Sequence, residues 1–150
     1  MAANRIRIVV GGDQRDRGHV RLTDFLQQLD AVKKALKQTE RIFAEHERPS
    51  VYYRIIDVSH SSPLTVVLEG ATEQPEYAAV PPFVVGKFLS SMAQIKRTGK
   101  LPSNFDYPAA ESYRELGSPL SKHITTLHIA NGRKSIAVDK KYEERIAKAI

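Results

Sequence analysis

The sequence predicts an α+β fold, a mostly antiparallel sheet of about five strands with helices packed on one face. Three observations carry that expectation. Two segments alternate apolar and polar residues on either side of a turn, as β-hairpins do. One long segment repeats apolar residues every three or four positions, as an amphipathic helix does. A short alternating segment near the start supplies a further strand.

Taken in order, Arg5-Ile6-Arg7-Ile8-Val9-Val10 alternates and then turns apolar, reading as a strand that ends at Gly11-Gly12. Asp13 to Val20 is a charged loop. Leu22, Phe25, Leu29, Val32, Leu36 and Phe43, with Leu26 beside them, then form one apolar stripe on a helix of about six turns. Thr23 is the expected cap, and Pro49 ends the segment.

The first hairpin runs from Val51 to Gly70 with its turn at Ser59-His60-Ser61-Ser62. A turn centred on His60-Ser61 pairs Ile55 with Val66 and Tyr53 with Leu68 on an apolar face. Arg54 then meets Val67, and Tyr52 meets Glu69, on a mixed one. After a polar connector, Glu73 to Tyr77, Pro81-Pro82 opens a helix from Phe83 to Arg97. Its inward positions are Val84, Phe88, Met92 and Ile95, and Gly99 closes it. Lys96 and Arg97 suit the negative end of the helix dipole.

Lys100 to Ser121 holds three prolines and reads as a long loop interrupted by a short helix, Ala109 to Leu116. It is either a functional loop or the seam between two subdomains of what otherwise reads as a single domain over residues 1–150. The second hairpin runs from Lys122 to Val138. A turn at Asn131-Gly132 pairs Leu127 with Ile136 and Thr125 with Val138, leaving Thr126, His128, Ser135 and Ala137 on the reverse face. Lys140 to Ile150 closes as a helix with Tyr142, Ile146 and Ile150 in register.

Composition narrows the function classes. At 150 residues, 41% hydrophobic and 27% charged, the chain is long enough for a real core and has the balance of an ordered protein. No apolar run approaches the ~20 residues that span a bilayer, so no membrane partner is expected. Without cysteine there is neither a disulfide nor a zinc–thiolate site, and a reducing, cytoplasmic location is the default.

The net charge of +6 is concentrated in three segments. Residues 1–21 carry Arg5, Arg7, Arg15, Arg17 and Arg21 against Asp13 and Asp16. Residues 83–100 carry Lys87, Lys96, Arg97 and Lys100 with no acid, and residues 118–138 carry Lys122, Arg133 and Lys134 with none. Such a distribution attracts a polyanion.

Catalytic constellations are weak. Asp57-Val58-Ser59-His60-Ser61-Ser62 has every residue type of a hydrolase triad, but strand parity puts Asp57 and Ser59 on a face that His60 leaves, and a turn accounts for those residues. Gly11-Gly12-Asp13 lacks the Gly-Lys-Ser/Thr of a phosphate loop, although Arg15, Arg17, His19 and Arg21 beside it can grip an anion through their side chains. His123 and His128 lie five apart, on opposite strand faces, and His46 and His60 are distant, so no metal site is expected. No cofactor is implied.

Ile56-Asp57-Val58-Ser59-His60-Ser61-Ser62-Pro63, following a long amphipathic helix, resembles a segment of uncharacterised bacterial proteins, over about a third of the chain. The resemblance implies a bacterial or phage origin and carries no activity with it.

The expected function is therefore non-catalytic binding, of an anionic partner such as nucleic acid. The candidate contacts are Arg5, Arg7, Arg15, Arg17, Tyr52, Arg54, His128, Arg133 and Lys134, with Tyr52 and His128 available for stacking. A protein-interaction module is the alternative. A further alternative is an enzyme using Arg15 to Arg21 and the Lys100–Ser121 loop.

Overall fold

The structure is a computed structural model that describes residues 2–44, 51–59, 63–118 and 123–150. The elements follow in the order β1 (Arg5–Gly12), α1 (Leu22–Phe43), β2 (Tyr52–Ser59), β3 (Leu64–Ala71), α2 (Val80–Thr98), α3 (Tyr107–Glu115), β4 (Ile124–Asn131), β5 (Lys134–Ala137) and α4 (Lys140–Ala149). Single 3-10 turns at Gln14–Asp16 and Pro75–Tyr77 interrupt the two polar connectors.

The five strands form one antiparallel sheet in the order β2-β3-β1-β4-β5, with the first strand of the chain at its centre. Alternation in β1 explains this place. Ile6, Ile8 and Val10 point to one side, where they meet Leu68, Val66 and Leu64 of β3; Ile129 and Leu127 of β4 flank Ile8 and Val10 on the other edge. A strand paired on both edges cannot expose either backbone edge, and Ile6, Ile8 and Val10 are wholly buried.

The helices cover that side. Val84, Phe88, Met92 and Ile95 of α2, the inward positions expected from its spacing, are fully buried against the sheet. Each such side chain contributes roughly 2–3 kcal/mol on leaving water. Gly99 ends α2 in the left-handed region (φ 72°), where glycine has no Cβ to clash. Helices α1, α3 and α4 pack around α2 and one another. Two buried tyrosines tie that layer together. Tyr113 hydroxyl lies 2.6 Å from Thr39 Oγ1, which itself donates to the Ala35 carbonyl, and Tyr142 hydroxyl donates to the Tyr113 carbonyl at 3.0 Å. No helix among the described residues is long and apolar enough to cross a membrane.

Several expectations need correction. Thr23 does not cap α1. The capping position is Arg21, in extended backbone and without a side-chain cap bond, so Thr23 sits inside the first turn. The stripe is also rotated. Leu22 and Leu26 are exposed, and the inward face near the N-terminus is Asp24 and Gln28, followed by Ala31, Val32, Ala35, Leu36 and Thr39. Small residues let α1 approach its neighbours closely, and in its first two turns the inward side is Asp24 and Gln28 rather than Leu22 and Leu26. Ile150 likewise lies exposed past the end of α4, whose buried residues are Tyr142 and Ile146.

Both hairpins pair out of the expected register, the second by two residues and the first by two up to Ile55 and by three beyond it. In the first, Tyr53 faces Gly70, Arg54 faces Glu69 and Ile55 faces Leu68; a bulge at Ile56 then lets Asp57 face Val67 and Val58 face Val66. Neither the Ile55–Val66 nor the Arg54–Val67 pairing exists. In the second, Ile129 faces Ile136 and His128 faces Ala137, so the two turn residues are Gly132 and Arg133. Gly132 has φ 58°, and a glycine in the first turn position is what a primed hairpin turn requires. Asn131 is held as a strand residue instead. Its amide donates to the carbonyls of Arg5 (2.7 Å), Ala3 (3.2 Å) and Ala2 (3.3 Å). His46, Pro49, His60 to Ser62 and Lys122 lie outside the described residues.

Candidate nucleic-acid interface

No described element covers the side of the sheet opposite the helices, and strand order decides what lies on it. From the β2 edge inward it carries Tyr52 and Arg54, then Glu69 of β3, then Arg5 and Arg7 of β1, then His128 of β4. Register sets their neighbours. Glu69 lies directly between Arg54 and Arg5, Arg7 lies between Val67 and Ala130, and Val9 separates Thr65 from His128.

The electrostatics of this face are those of a partly neutralised basic patch. Glu69 accepts from Arg5 Nε at 3.2 Å and from Arg54 Nη2. These two guanidiniums hold its carboxyl below the usual glutamate range. The Arg54 guanidinium also lies 6.0 Å from the Tyr52 ring centroid. Arg7 has no acidic partner among the described residues. A shallow concavity of about 760 Å³ opens beside it between Arg5, Arg54, Ile56, Asp57, Val67 and Glu69.

The expected contacts divide into two groups. Arg5, Arg7, Tyr52, Arg54 and His128 share the uncovered face. Arg133 and Lys134 stand at the hairpin tip at the Arg5 end of β1, where Asn131 bonds Arg5. Arg15 and Arg17 belong to the loop after Gly12, at the far end of a strand about 23 Å long, and do not join them.

That far loop holds its own cluster. Asp13 caps the 3-10 turn through the Asp16 amide and pairs with Arg15 at 3.2 Å; Asp16 pairs with Arg21 at 2.9 Å. Arg21 Nη1 also donates to His123 Nε2 at 2.9 Å, and His123 Nδ1 faces Asp13 at 3.7 Å. Partial burial pulls the Asp13 carboxyl up, but Arg15, the Asp16 amide and His123 together bring it below its ordinary value.

Ligand atoms of Asp13, Asp16 and His123 lie within 4.8 Å of one another, a separation a cation could bridge. Two guanidiniums already neutralise the carboxylates, and one also occupies the imidazole, so a metal would have to displace both. The cluster is better described as a clasp joining the β1–α1 loop to the start of β4. Spacing could not reveal it, because Asp13 and His123 are distant in sequence.

Asp57 and Ser59 do share the open face, as strand parity requires, while His60 is not among the described residues. A second concavity, about 520 Å³, opens where β5 stops short of the start of β4 and includes Thr126, His128, Asp139 and Glu143. Burial and the neighbouring Asp139 push the Glu143 carboxyl up. Glu69, the residue that most changes the charge of the open face, was not among the expected contacts. Only the true register brings it between the two arginines. No family model matches the chain, and no curated protein or solved structure was found to be similar to it.

Proposed function

We propose that the chain is a non-catalytic binding module whose uncovered sheet face takes up single-stranded nucleic acid. The observation that carries this reading is the strand order, which gathers Arg54, Arg5 and Arg7 from separate segments onto one face. Arg7 provides an unneutralised charge at its centre. The Arg5–Glu69–Arg54 array holds two more guanidiniums in place and leaves donors of each free for phosphate. Tyr52 and His128 offer flat rings at either side of the face, and a shallow sheet admits unpaired bases more readily than a duplex groove admits a sheet.

Affinity in such a site comes mainly from phosphates, with weak sequence preference. Titration of fluorescent single- and double-stranded oligonucleotides at two salt concentrations tests it. The expected result is tighter binding of the single strand, with log affinity falling by about 0.7 per contact for each log unit of salt. Arg7→Glu should weaken binding about tenfold or more, and Arg17→Glu, at the far loop, much less. Absence of binding at low salt, or equal affinity of the Arg7→Glu variant, overturns the proposal.

A further inference from the structure

We propose that β2 is a self-complementary edge through which two copies of this chain pair, antiparallel, about a two-fold axis passing between Ile55 and Ile56. Strand β2 ends the sheet, and no described element lies on its outer side. Ile55 is 58% exposed, and Tyr52, Ile56 and Val58 are also open to solvent. An apolar edge of this kind invites a further strand.

Charge identifies the occupant. In a regular strand, residues three apart point to opposite faces. The bulge at Ile56 changes this, so that Arg54, opposite Glu69, and Asp57, opposite Val67, both lie on the uncovered face. Directly opposed residues of antiparallel strands share a face. An antiparallel copy centred between Ile55 and Ile56 therefore sets Arg54 across from Asp57 of the second copy, and Asp57 across from its Arg54. The same register sets Tyr53 across from Val58 on the helix-covered face, and Ile55 beside Ile56 at the axis.

The partners are available. Arg54 gives only one nitrogen to Glu69, and Asp57 has no hydrogen-bond or ion-pair partner among the described residues. A bulge ordinarily blunts an edge, because a regular strand laid against it loses parity halfway along. Here that makes the edge selective, because a strand bulged at the same place keeps the match on both sides of the axis. The reading does not depend on nucleic-acid binding. It adds that the paired sheets would present both copies of Arg7 on one continuous face.

Sedimentation of the full chain from low to high micromolar concentration tests the pairing, with Asp57→Arg and Ile55→Lys as variants. Both positions are exposed, so the fold should survive, which far-UV circular dichroism checks. The expected result is a reversible dimer whose dissociation constant rises about tenfold or more in each variant. Arg7→Glu, away from the edge, should leave the dimer intact even if it abolishes oligonucleotide binding. Because the sequence has no cysteine, a nitroxide on Ile56→Cys reports the interface directly, through a short distance between the two labels. A monomer at every concentration overturns the proposal. So does a dimer that ignores both substitutions, or one whose labels lie far apart.

Discussion

The two hairpins begin from the same kind of sequence and end in different surroundings. Each ends the sheet with a strand carrying a β-branched apolar residue toward the helix side. In β5 that residue, Ile136, is 7% exposed; in β2 its counterpart, Ile55, is 58% exposed. The difference lies in what packs above. Helix α2 reaches β3, β1, β4 and β5, and Lys96 of α2 fastens the end of β5 by donating to the Ala137 carbonyl and to Asp139, both at 2.9 Å. Among the described residues no helix packs on the outer strand of the first hairpin in this way; Glu40 of α1 accepts from the Val51 amide only at its start. An apolar side chain on a strand is thus a core residue only where a helix arrives to cover it. Alternation alone does not distinguish the two cases.

The largest expected contrast is in stability. Ile129→Ala, in the covered hairpin, should cost about 3 kcal/mol by leaving a cavity under α2. Ile55→Ala should change the unfolding free energy by less than about 0.5 kcal/mol at concentrations where the chain is monomeric. Urea unfolding midpoints of the two variants measure this directly. Equal losses would mean that the first hairpin is as well covered as the second.

A smaller effect separates the two turns. Asn131→Ala removes the amide that holds three carbonyls of the N-terminal segment and should cost about 1–3 kcal/mol. Gly132→Ala forces a Cβ onto φ 58° and should cost about 1 kcal/mol. Thermal melts of both variants test whether this turn is as demanding as its geometry implies.

The smallest effect concerns the fastening of β5 and depends on pH. Partial burial raises the Asp139 carboxyl, but Lys96 and the Tyr142 amide together bring it below its ordinary value of 3.8. A carboxyl depressed in the folded state stabilises the fold above its unfolded value, and that contribution is lost as pH falls through the folded value. Lys96→Met should therefore cost no more than about 1 kcal/mol near neutrality, since Asp139 is half exposed. The difference from wild type should shrink below about pH 4. Unfolding free energies at several pH values would show it. A variant that loses more stability in acid than at neutrality contradicts the assignment.

Much of the architecture was legible because it follows from parity. The second hairpin and the Tyr52–Ile55 half of the first are displaced from the expected register by two residues, which leaves side chains on the expected face; beyond the bulge the shift is three, and Asp57 and Val58 change faces. Parity permitted Arg5, Arg7, Tyr52, Arg54 and His128 to share a face without requiring it; the strand order is what brings their strands together. Register itself was not legible. In the second hairpin Asn131 is held in its strand by a carbonyl 126 positions away, and in the first a bulge at Ile56 that no residue type announces changes the offset partway along. The neutralising role of Glu69 was lost with the register. The exposed Leu22 and Leu26, and the buried Asp24 and Gln28, show the same limit in α1. Spacing locates an apolar stripe, but the reach of neighbouring helices decides which part of it is covered.

The central place of β1 sets an order of events. Its two neighbours are β3 and β4, so the earliest strand in the chain cannot be sealed on its second edge until residues 124–131 are in position. The Asn131 amide closes over residues 2, 3 and 5 at that same moment. Each hairpin can form locally and quickly, but joining them through a strand from the opposite end of the chain requires a long loop to close first. Folding should therefore be slow for a protein of this length. Until the last hairpin docks, Ile6, Ile8 and Val10 lie in a strand with one bare edge, and that half-built sheet is the species most exposed to aggregation.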